Sequence, residues 1–422
     1  VKRSILLFLV VFILLLIPQS FRKANIINDK NNSEISFNND LFSSDLTDPG
    51  VVVEDLVSMT DLYNVIEQGR INDLDENVIV SNIENLVGTK RVSIDSAHEL
   101  YLFGNAQSYN FDQQGGIVSF ADINDEVNTS VMKKVLDLDY VLLNDIDYSV
   151  KKAQKFVPIG TNLELESGVI STQPISLKAP FTGSFDGNGF EIKNLYLAEH
   201  SYVTITIQDD EESSAVTVVL FKQYAMFANI GSSGVVKNFV LKNPILEITT
   251  IDSSSGLLQT AMLAGENSGT ISNVGVIDEK VSAQGPGIIF DVLYPSNETY
   301  TAAAFVYDNK GVINNSYFVG SNVVVSSLNY RFSGIAPFFY ENSGTINNSL
   351  YSDNVITKVD LNNPKDYTNA GLESHSLSDI KIGNTNLNSS SNLGSPWYFY
   401  ELDGYPSLKG LQYSNGEYLI NN

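Results

Sequence analysis

The sequence contains no cysteine among its 422 residues. This absence excludes a disulfide framework, a thiolate zinc site, a cysteine nucleophile and a lipid-modified cysteine anchor. Histidine is nearly absent as well, and His98, His200 and His375 show no metal-binding spacing such as H-E-x-x-H. We therefore expect a fold that is stabilised by its hydrophobic core alone and a protein that is not a zinc enzyme.

Basic residues are few. The chain has 25 lysines and arginines and 49 acidic residues, which give a net charge of −24. Binding to a phosphate backbone needs a basic surface, so the charge argues against a nucleic-acid-binding protein. The sequence also lacks a G-x-S-x-G motif and a Gly-rich phosphate loop, so it predicts neither a serine hydrolase nor a nucleotide enzyme.

Two acidic clusters are candidates for calcium binding. The first comprises Asp122, Asp125 and Glu126, and the second is the segment 209–212, which lies between β-rich runs at 203–207 and 215–221 and is predicted to be the tip of a hairpin. Neither follows the spacing of an EF-hand loop or of a calcium-binding nonapeptide repeat, so solvated acidic loops are the simpler interpretation. We expect no cofactor, with calcium as the alternative.

One long apolar run, Ile5–Ile17, follows the basic residues Lys2 and Arg3. Its 13 residues suit a signal peptide and fall short of the ~20 that a membrane-spanning helix needs. The pattern predicts a signal peptide over residues 1–24, or an uncleaved N-terminal anchor that would be the only membrane contact. Either predicts an extracellular or cell-surface location. Residues 25–50 are rich in Asn, Asp and Ser and predict a disordered spacer.

Residues 51–91 predict an N-terminal cap or linker region, with a short helix over 61–69 that stops at Gly69. After a strand that includes Val92, Ser96 and Glu99 have the spacing of a capping box. The helix that they begin has an apolar face, so we expect it to cover one end of a β-rich core.

The stretch 180–197 predicts strand, turn and strand. Phe181 and Phe185 anchor the first strand, and Ile192 lies in the second. Between them the turn D-G-N-G contains Gly187 and Gly189, which we expect to supply positive φ.

Related phrases recur downstream, with E-N-S-G-T-I at 266–271 and again at 341–346, and D-N-K-G-V-I at 308–313. The repeated glycines are Gly269, Gly311 and Gly344, and the asparagines that follow each turn are Asn194, Asn238, Asn273, Asn315 and Asn348. The asparagines are separated by 44, 35, 42 and 33 residues. Such irregular spacing suits stacked strands with variable loops, and each interval corresponds to one turn of the chain or to two short ones.

Stacking at about 4.8 Å would place the same strand position above itself in every turn. We expect aliphatic side chains to form an internal ladder from Ile192, Val236, Ile271, Ile313 and Ile346. The asparagines Asn238, Asn273, Asn315 and Asn348 are expected to form a second ladder, in which their amides bond along the stack.

Four phrases together resemble a known family: Y-V-L-L-N-D-I-D-Y at 140–148, F-V-P-I-G at 156–160, F-D-G-N-G at 185–189 and W-Y-F-Y-E-L-D-G-Y-P-S-L at 397–408. They resemble the GLUG-type, filamentous-haemagglutinin-like repeat proteins of bacterial cell surfaces. The resemblance implies an all-β fold, a single-stranded right-handed parallel β-helix over 92–411 with a short N-terminal helical cap and a tail at 412–422. The handedness rests on the resemblance alone. Residues 397–408 are expected to close the C-terminal end of the core.

The resemblance implies an adhesive or structural surface protein whose partner is an extracellular protein or glycan. The family's motifs are structural and imply no catalytic residues. The alternative is a polysaccharide lyase or glycoside hydrolase that uses Asp145, Asp147 and Asp186. Asp145 and Asp147 lie on one strand face, roughly 6–7 Å apart, which permits a carboxylate pair of the kind that hydrolyses glycosides.

Overall fold

The computed structural model describes residues 56–107, 130–151, 156–165, 175–198, 202–209, 212–219, 223–250, 259–278, 288–292, 300–320, 332–336, 338–352, 373–375, 397–399, 406–408, 411–414 and 417–420. The predicted signal peptide or anchor, the spacer at 25–50 and the cluster of Asp122, Asp125 and Glu126 lie outside these residues.

Helices are few and lie near the start of the described chain. They are α1 (Met59–Ile71), α2 (Glu76–Val87), α3 (Ala97–Ala106) and α4 (Ser130–Leu136), with a 3-10 turn at Tyr148–Lys151.

Strands make up most of the remaining described residues. In chain order they begin with β1 (Leu56–Ser58), β2 (Arg91–Ile94), β3 (Asp139–Leu142), β4 (Ile146–Asp147), β5 (Thr161–Leu165), β6 (Ile175–Ala179), β7 (Ser184–Asp186), β8 (Glu191–Lys193), β9 (Tyr196–Ala198), β10 (Tyr202–Asp209) and β11 (Glu212–Val219). They continue with β12 (Gln223–Tyr224), β13 (Phe227–Ile230), β14 (Val235–Lys242), β15 (Ile245–Thr250), β16 (Gln259–Ala261), β17 (Ala264–Asn267), β18 (Thr270–Asp278), β19 (Ile288–Val292), β20 (Tyr300–Ala303), β21 (Val306–Asn309) and β22 (Val312–Asn314). The last are β23 (Tyr317–Gly320), β24 (Phe332–Ala336), β25 (Phe339–Asn342), β26 (Thr345–Asn347), β27 (Leu350–Ser352), β28 (Glu373–His375), β29 (Tyr398–Phe399), β30 (Pro406–Ser407), β31 (Leu411–Ser414) and β32 (Glu417–Ile420).

The strands form an all-β arrangement dominated by parallel sheets. The first sheet has 13 strands, and its main path is β1-β2-β3-β7-β14-β18-β23-β27-β28. The second sheet is β12-β16-β20-β24, the third is β13-β17-β21-β25, and the fourth is β19-β15-β9. Four antiparallel hairpins join β5 to β6, β10 to β11, β29 to β30 and β31 to β32. The second of these confirms the hairpin that we predicted around residues 209–212.

From β12 onward the chain visits the sheets in a repeating order. It adds a strand to the second sheet, the third and then the first, and after β14 and β18 also to the fourth. We call each such circuit a pass. Val235 pairs with Thr270, Thr270 with Val312 and Val312 with Thr345, so successive passes are offset by 35, 42 and 33 residues. Each of these intervals is therefore a single pass, which the sequence left open.

An internal ladder of apolar side chains runs through the first sheet. Val236, Ile271, Ile313 and Ile346 stand in register as predicted, and the first three are fully buried. Ile192 does not belong to this ladder, because it pairs with Leu241, and Phe185 occupies the position beside Val236. The correction follows from register: β7 and β8 both pair with the single long strand β14, so the residue after the turn stacks further along that strand.

The helices pack into the same core as the sheets. Phe103 of α3 lies with its ring centroid 4.3 Å from that of Tyr140 and 5.8 Å from that of Phe185.

Strand β1 pairs with β2 in the first sheet, so the predicted domain boundary at residue 92 crosses a continuous sheet. α2 was not predicted.

Of the two predicted helix signals, the stop at Gly69 is wrong and the cap at Ser96 is confirmed. The predicted stop at Gly69 is wrong, because α1 continues to Ile71; a Cβ at Gly69 would lie 2.5 Å from Ile79 of α2. The predicted cap at Ser96 is confirmed, because its hydroxyl accepts the Glu99 amide. Glu99 also accepts the Thr60 amide and hydroxyl, which ties α3 to α1.

We predicted that residues 397–408 close the C-terminal end of the core, and the described residues of this segment lie elsewhere. The Trp397 indole donates to the Asn315 carbonyl, and the Tyr317 hydroxyl donates to the Pro406 carbonyl. Tyr317 neighbours Phe318, which faces the core in register with Val276, so Tyr317 points to the opposite face of its strand. Trp397 and Pro406 therefore lie against the outer face of the first sheet.

Candidate functional site

The turn after β7 is shaped by a left-handed backbone at Asn188 and Gly189, whose φ values are 52° and 83°. The prediction of positive φ is confirmed for Gly189. It is wrong for Gly187, which is required for a different reason: a Cβ there would lie 2.2 Å from the Cβ of Phe239. Because the backbone of β14 approaches so closely, Asp186 is held against the side chains of that strand.

Asp186 is the most enclosed of the three candidate catalytic carboxylates, with 2% of its side chain exposed. Its Oδ2 lies 3.5 Å from the Arg91 guanidinium and 3.4 Å from the Lys237 ammonium. Its Oδ1 accepts the Asn188 amide and the Asn238 side-chain amide, each at 2.9 Å. A carboxylate compensated by two cations and two donors is a cross-link between strands, because its charge is already balanced within the chain.

Asp145 and Asp147 lie at β4 and bind the neighbouring strand β8. Asp145 Oδ1 accepts the Glu191 amide at 2.9 Å, and its Oδ2 lies 3.6 Å from the Lys193 ammonium. Asp147 Oδ1 accepts the Asn194 side-chain amide and the Ser149 amide, each at 2.9 Å. The Asn194 hydrogen bond, followed by that from Ser149, holds the pKa of Asp147 below its ordinary value. A carboxylate with a lowered pKa, as at Asp147, is poorly suited to act as a general acid.

Asp186 shares none of its described partners with Asp145 or Asp147. Asp145 and Asp147 flank β8, whereas Asp186 is held by β2 and β14. Residues that sequence reasoning missed, Arg91 and Lys237, are the charge partners of Asp186. Since Arg91 is 95 positions upstream, no local signal pointed to it.

The asparagine ladder is confirmed at three of its predicted positions. The side chain of Asn238 donates to Asp186, that of Asn273 donates to Asn238 at 2.9 Å, and that of Asn315 donates to Asn273 at 2.7 Å. The φ values of Asn238, Asn273 and Asn315 are 62°, 54° and 53°. Asparagine suits the ladder because it tolerates this left-handed backbone and carries both a donor and an acceptor.

Two predicted asparagines stand apart from these rungs. The side chain of Asn194 donates to Asp147, and its backbone amide donates to the Lys242 carbonyl. Asn194 therefore lies beside the end of β14 and not below Asn238. Asn348 also has a left-handed backbone, with φ of 46°. In the same pass, the side chain of the neighbouring Asn347 donates to that of Asn314 at 2.9 Å. The register of β8 on β14 explains the first difference.

A second ladder was missed, although its residues lie inside the repeated phrases. The side chain of Asn267 donates to Asn309 at 2.8 Å, and that of Asn309 donates to Asn342 at 2.7 Å. Asn267 and Asn309 are fully buried. The signal in the sequence was the asparagine that stands two residues before each of Gly269, Gly311 and Gly344. The preceding pass has Ile230 at this position, so the second ladder begins at Asn267.

The central rung offers a direct test of the ladder. We expect Asn273→Ala to lower the free energy of unfolding by about 2 kcal/mol, because Asn238 and Asn315 lose a partner and alanine is strained at positive φ. Asn273→Gly removes the same amide without that strain and should cost about 1 kcal/mol. Urea denaturation of both variants measures the difference. Equal stability of Asn273→Gly and wild type would show that the ladder contributes nothing.

One outer surface of the first sheet presents small polar and β-branched side chains in register. It comprises Thr270, Ser272, Val312, Asn314, Thr345 and Asn347, which alternate with the buried isoleucines. We call these six residues the polar face. They are partly or fully exposed, and the strands repeat them at about 4.8 Å. The polar face is a regular surface with no carboxylate among its six residues.

The described ranges hold neither a metal-binding cluster nor a helix suited to span a membrane. They contain no cluster of three or more His, Asp or Glu side chains that could hold a metal ion. Among the helices α1 to α4, none has the length and apolar character needed to span a membrane. Of the histidines, His98 is exposed at the start of α3 and His375 lies in β28, while His200 is outside the described residues.

Comparison with known proteins identified no relative: no protein-family model matches the chain, no curated protein matches it, and no solved structure matches its fold. Its function must therefore be argued from its own residues.

Proposed function

We propose that this chain is a single-stranded right-handed parallel β-helix, exported and displayed at a cell surface as an adhesive or structural module without catalysis. The sheet order supports a solenoid, because each pass adds one strand to the second sheet, one to the third and then one or two to the first. Connections between parallel strands of one sheet are right-handed in about 98% of cases, which supports the handedness. The resemblance to GLUG-type surface proteins agrees with both.

The observation that favours a non-catalytic role is the use made of the three candidate carboxylates. Asp186 is enclosed by Arg91 and Lys237, and Asp145 and Asp147 bind the backbone or side chains of their own neighbourhood. A glycosidase pair needs carboxylates that face a shared substrate and differ in protonation. Here the carboxylates hold strands together, which suits a scaffold.

Export explains why the basic residues Lys2 and Arg3 precede an apolar run at residues 5–17. A solenoid without cysteine is stabilised by a core that lengthens with each pass, so it suits an oxidising exterior without needing disulfides. Its partner is an extracellular protein or glycan. The polar face, with hydroxyl and amide groups at regular spacing, is the surface we assign to that contact.

Turnover and binding on a polysaccharide panel, with and without calcium, test this proposal on the full exported chain. We expect binding without release of reducing or unsaturated ends, and no change on chelation of calcium. On the polar face, Asn347→Arg should weaken binding by about tenfold through bulk and charge, whereas Ser232→Arg, at an exposed turn outside that face, should not.

Glycan cleavage that is abolished in a folded Asp145→Ala variant would contradict the proposal and favour a polysaccharide-degrading enzyme. Asp145 suits this comparison because 41% of its side chain is exposed and its loss should leave the fold intact. Absence of both turnover and glycan binding would move the search to partner proteins.

A further inference from the structure

A groove of about 600 Å³ lies where the helical region meets the turn before β7. One wall is α2, which supplies Val80, and a second is α4, which supplies Lys133 and Lys134. The third wall includes Pro180 and Thr182. The volume falls within the range of small-ligand sites, which runs from about 300 to 1,000 Å³. The groove is separate from the polar face.

The two lysines give this groove a cationic wall in a chain whose net charge is −24. Lys133 is exposed. The Lys134 ammonium lies 3.0 Å from Glu84, with 26% and 55% of the two side chains exposed. An ion pair this open contributes about 1 kcal/mol at most, so Lys134 can turn toward an incoming anion at little cost.

The remaining polar groups suit hydroxyls better than a second negative charge. Asp137 lines the groove, and its Oδ1 accepts the Thr182 hydroxyl at 3.0 Å. A carboxylate has about four lone-pair sites, so Asp137 can accept further hydroxyl donors. Asn77 adds both a donor and an acceptor. Asp137 lies directly after α4, which carries the two lysines, so it would repel a phosphate dianion more strongly than a single carboxylate.

Apolar contacts complete this set, because Val80 and Pro180 offer the kind of surface against which the C–H face of a sugar ring packs. We infer that the groove binds a carboxylated sugar, such as a uronic acid residue of an acidic glycan. Lys133 and Lys134 hold its carboxylate, while Asp137 and Asn77 bind its hydroxyls. This site goes beyond the proposed adhesion, since it does not involve the polar face.

Calorimetric titration of the full chain with oligogalacturonate, and with its neutral methyl ester, tests this assignment. We expect the acid to bind, the ester to bind at least about tenfold more weakly, and rising salt to weaken binding of the acid. Lys133→Glu should weaken binding of the acid by at least about tenfold, because it replaces an attraction with a repulsion.

The matched control is Lys90→Glu, which reverses an exposed lysine just beyond α2 and outside the groove lining. It should change the dissociation constant by less than about twofold, as should the polar-face variant Asn347→Arg. Circular dichroism confirms that each variant is folded. The inference is overturned if folded wild type binds no uronate, if acid and ester bind equally, or if inorganic phosphate displaces the sugar at equal concentration. An equal effect of Lys133→Glu and Lys90→Glu also overturns it, without bearing on adhesion through the polar face.

Discussion

Asp186→Ala is expected to lower the free energy of unfolding by about 3 kcal/mol, because it removes a carboxylate that is 2% exposed and that binds two cations and two amide donors. Arg91, with 14% of its side chain exposed, loses a carboxylate at 3.5 Å. The Asn188 amide and the Asn238 side chain lose their acceptor. The Lys237 contribution is smaller, since 35% of that side chain is exposed and solvent screens it.

Asp145→Ala provides the matched comparison for this variant. It also removes an aspartate bound to a lysine and a backbone amide, but 41% of the Asp145 side chain is exposed. We expect it to cost less than about 1 kcal/mol. Thermal and urea denaturation of the two variants measure the difference. Comparable losses from both, or a stable Asp186→Ala, would show that Asp186 is not a structural cross-link and would return it to the list of catalytic candidates.

Gly311→Ala is expected to be equally damaging, at about 3 kcal/mol, because successive glycine turns stack in direct contact. A Cβ at Gly311 would lie 2.1 Å from the Gly269 carbonyl oxygen and 2.8 Å from its amide nitrogen. These neighbours are backbone atoms, so only separation of two passes can relieve the clash. That separation would also disturb the bond between Asn267 and Asn309 beside it.

Two other glycines separate the causes of this effect. Gly344→Ala produces the same approach, 2.1 Å from the Gly311 carbonyl, but lies in a pass whose neighbouring residues are mostly exposed, so it should cost about 1 kcal/mol. Gly88→Ala introduces a side chain at φ of 57° with nothing within 4 Å, so it reports backbone strain alone, again about 1 kcal/mol. Urea unfolding of all three is the measurement. A mild Gly311→Ala would mean that the passes can separate freely.

Local chemistry made several elements predictable from the sequence. The cap of α3 at Ser96 followed from a spacing of three residues, and the β10–β11 hairpin followed from two β-rich runs around an acidic tip. The turn after β7 followed from its glycines and asparagines, although only Gly189 has the expected positive φ. In each case the determining contacts lie within a few positions of one another.

The candidate site was only half accessible from the sequence. Asp186, Asn238, Asn273 and Asn315 were identified as special positions, and they do lie in one stack. Their roles were not evident, because the local sequence around a turn carboxylate is the same whether the carboxylate faces solvent or two cations. Arg91 and Lys237 carry no motif. Lys237 reaches Asp186 because β14 pairs with β7, and Arg91 reaches it from β2, which lies beyond β3 on the other side of β7.

The sequence by itself determined the strand-rich character of this protein, its glycine and asparagine turns and its inward isoleucines, since side-chain alternation and turn chemistry are local properties. Only the tertiary structure decided which residues stack. It placed Ile192 on Leu241, set Asn194 apart from Asn238, and laid Trp397 against the outer face of the sheet. The physical reason is register: loops of unequal length separate parallel strands that pair across 23 to 51 residues, so a local pattern cannot specify its partner.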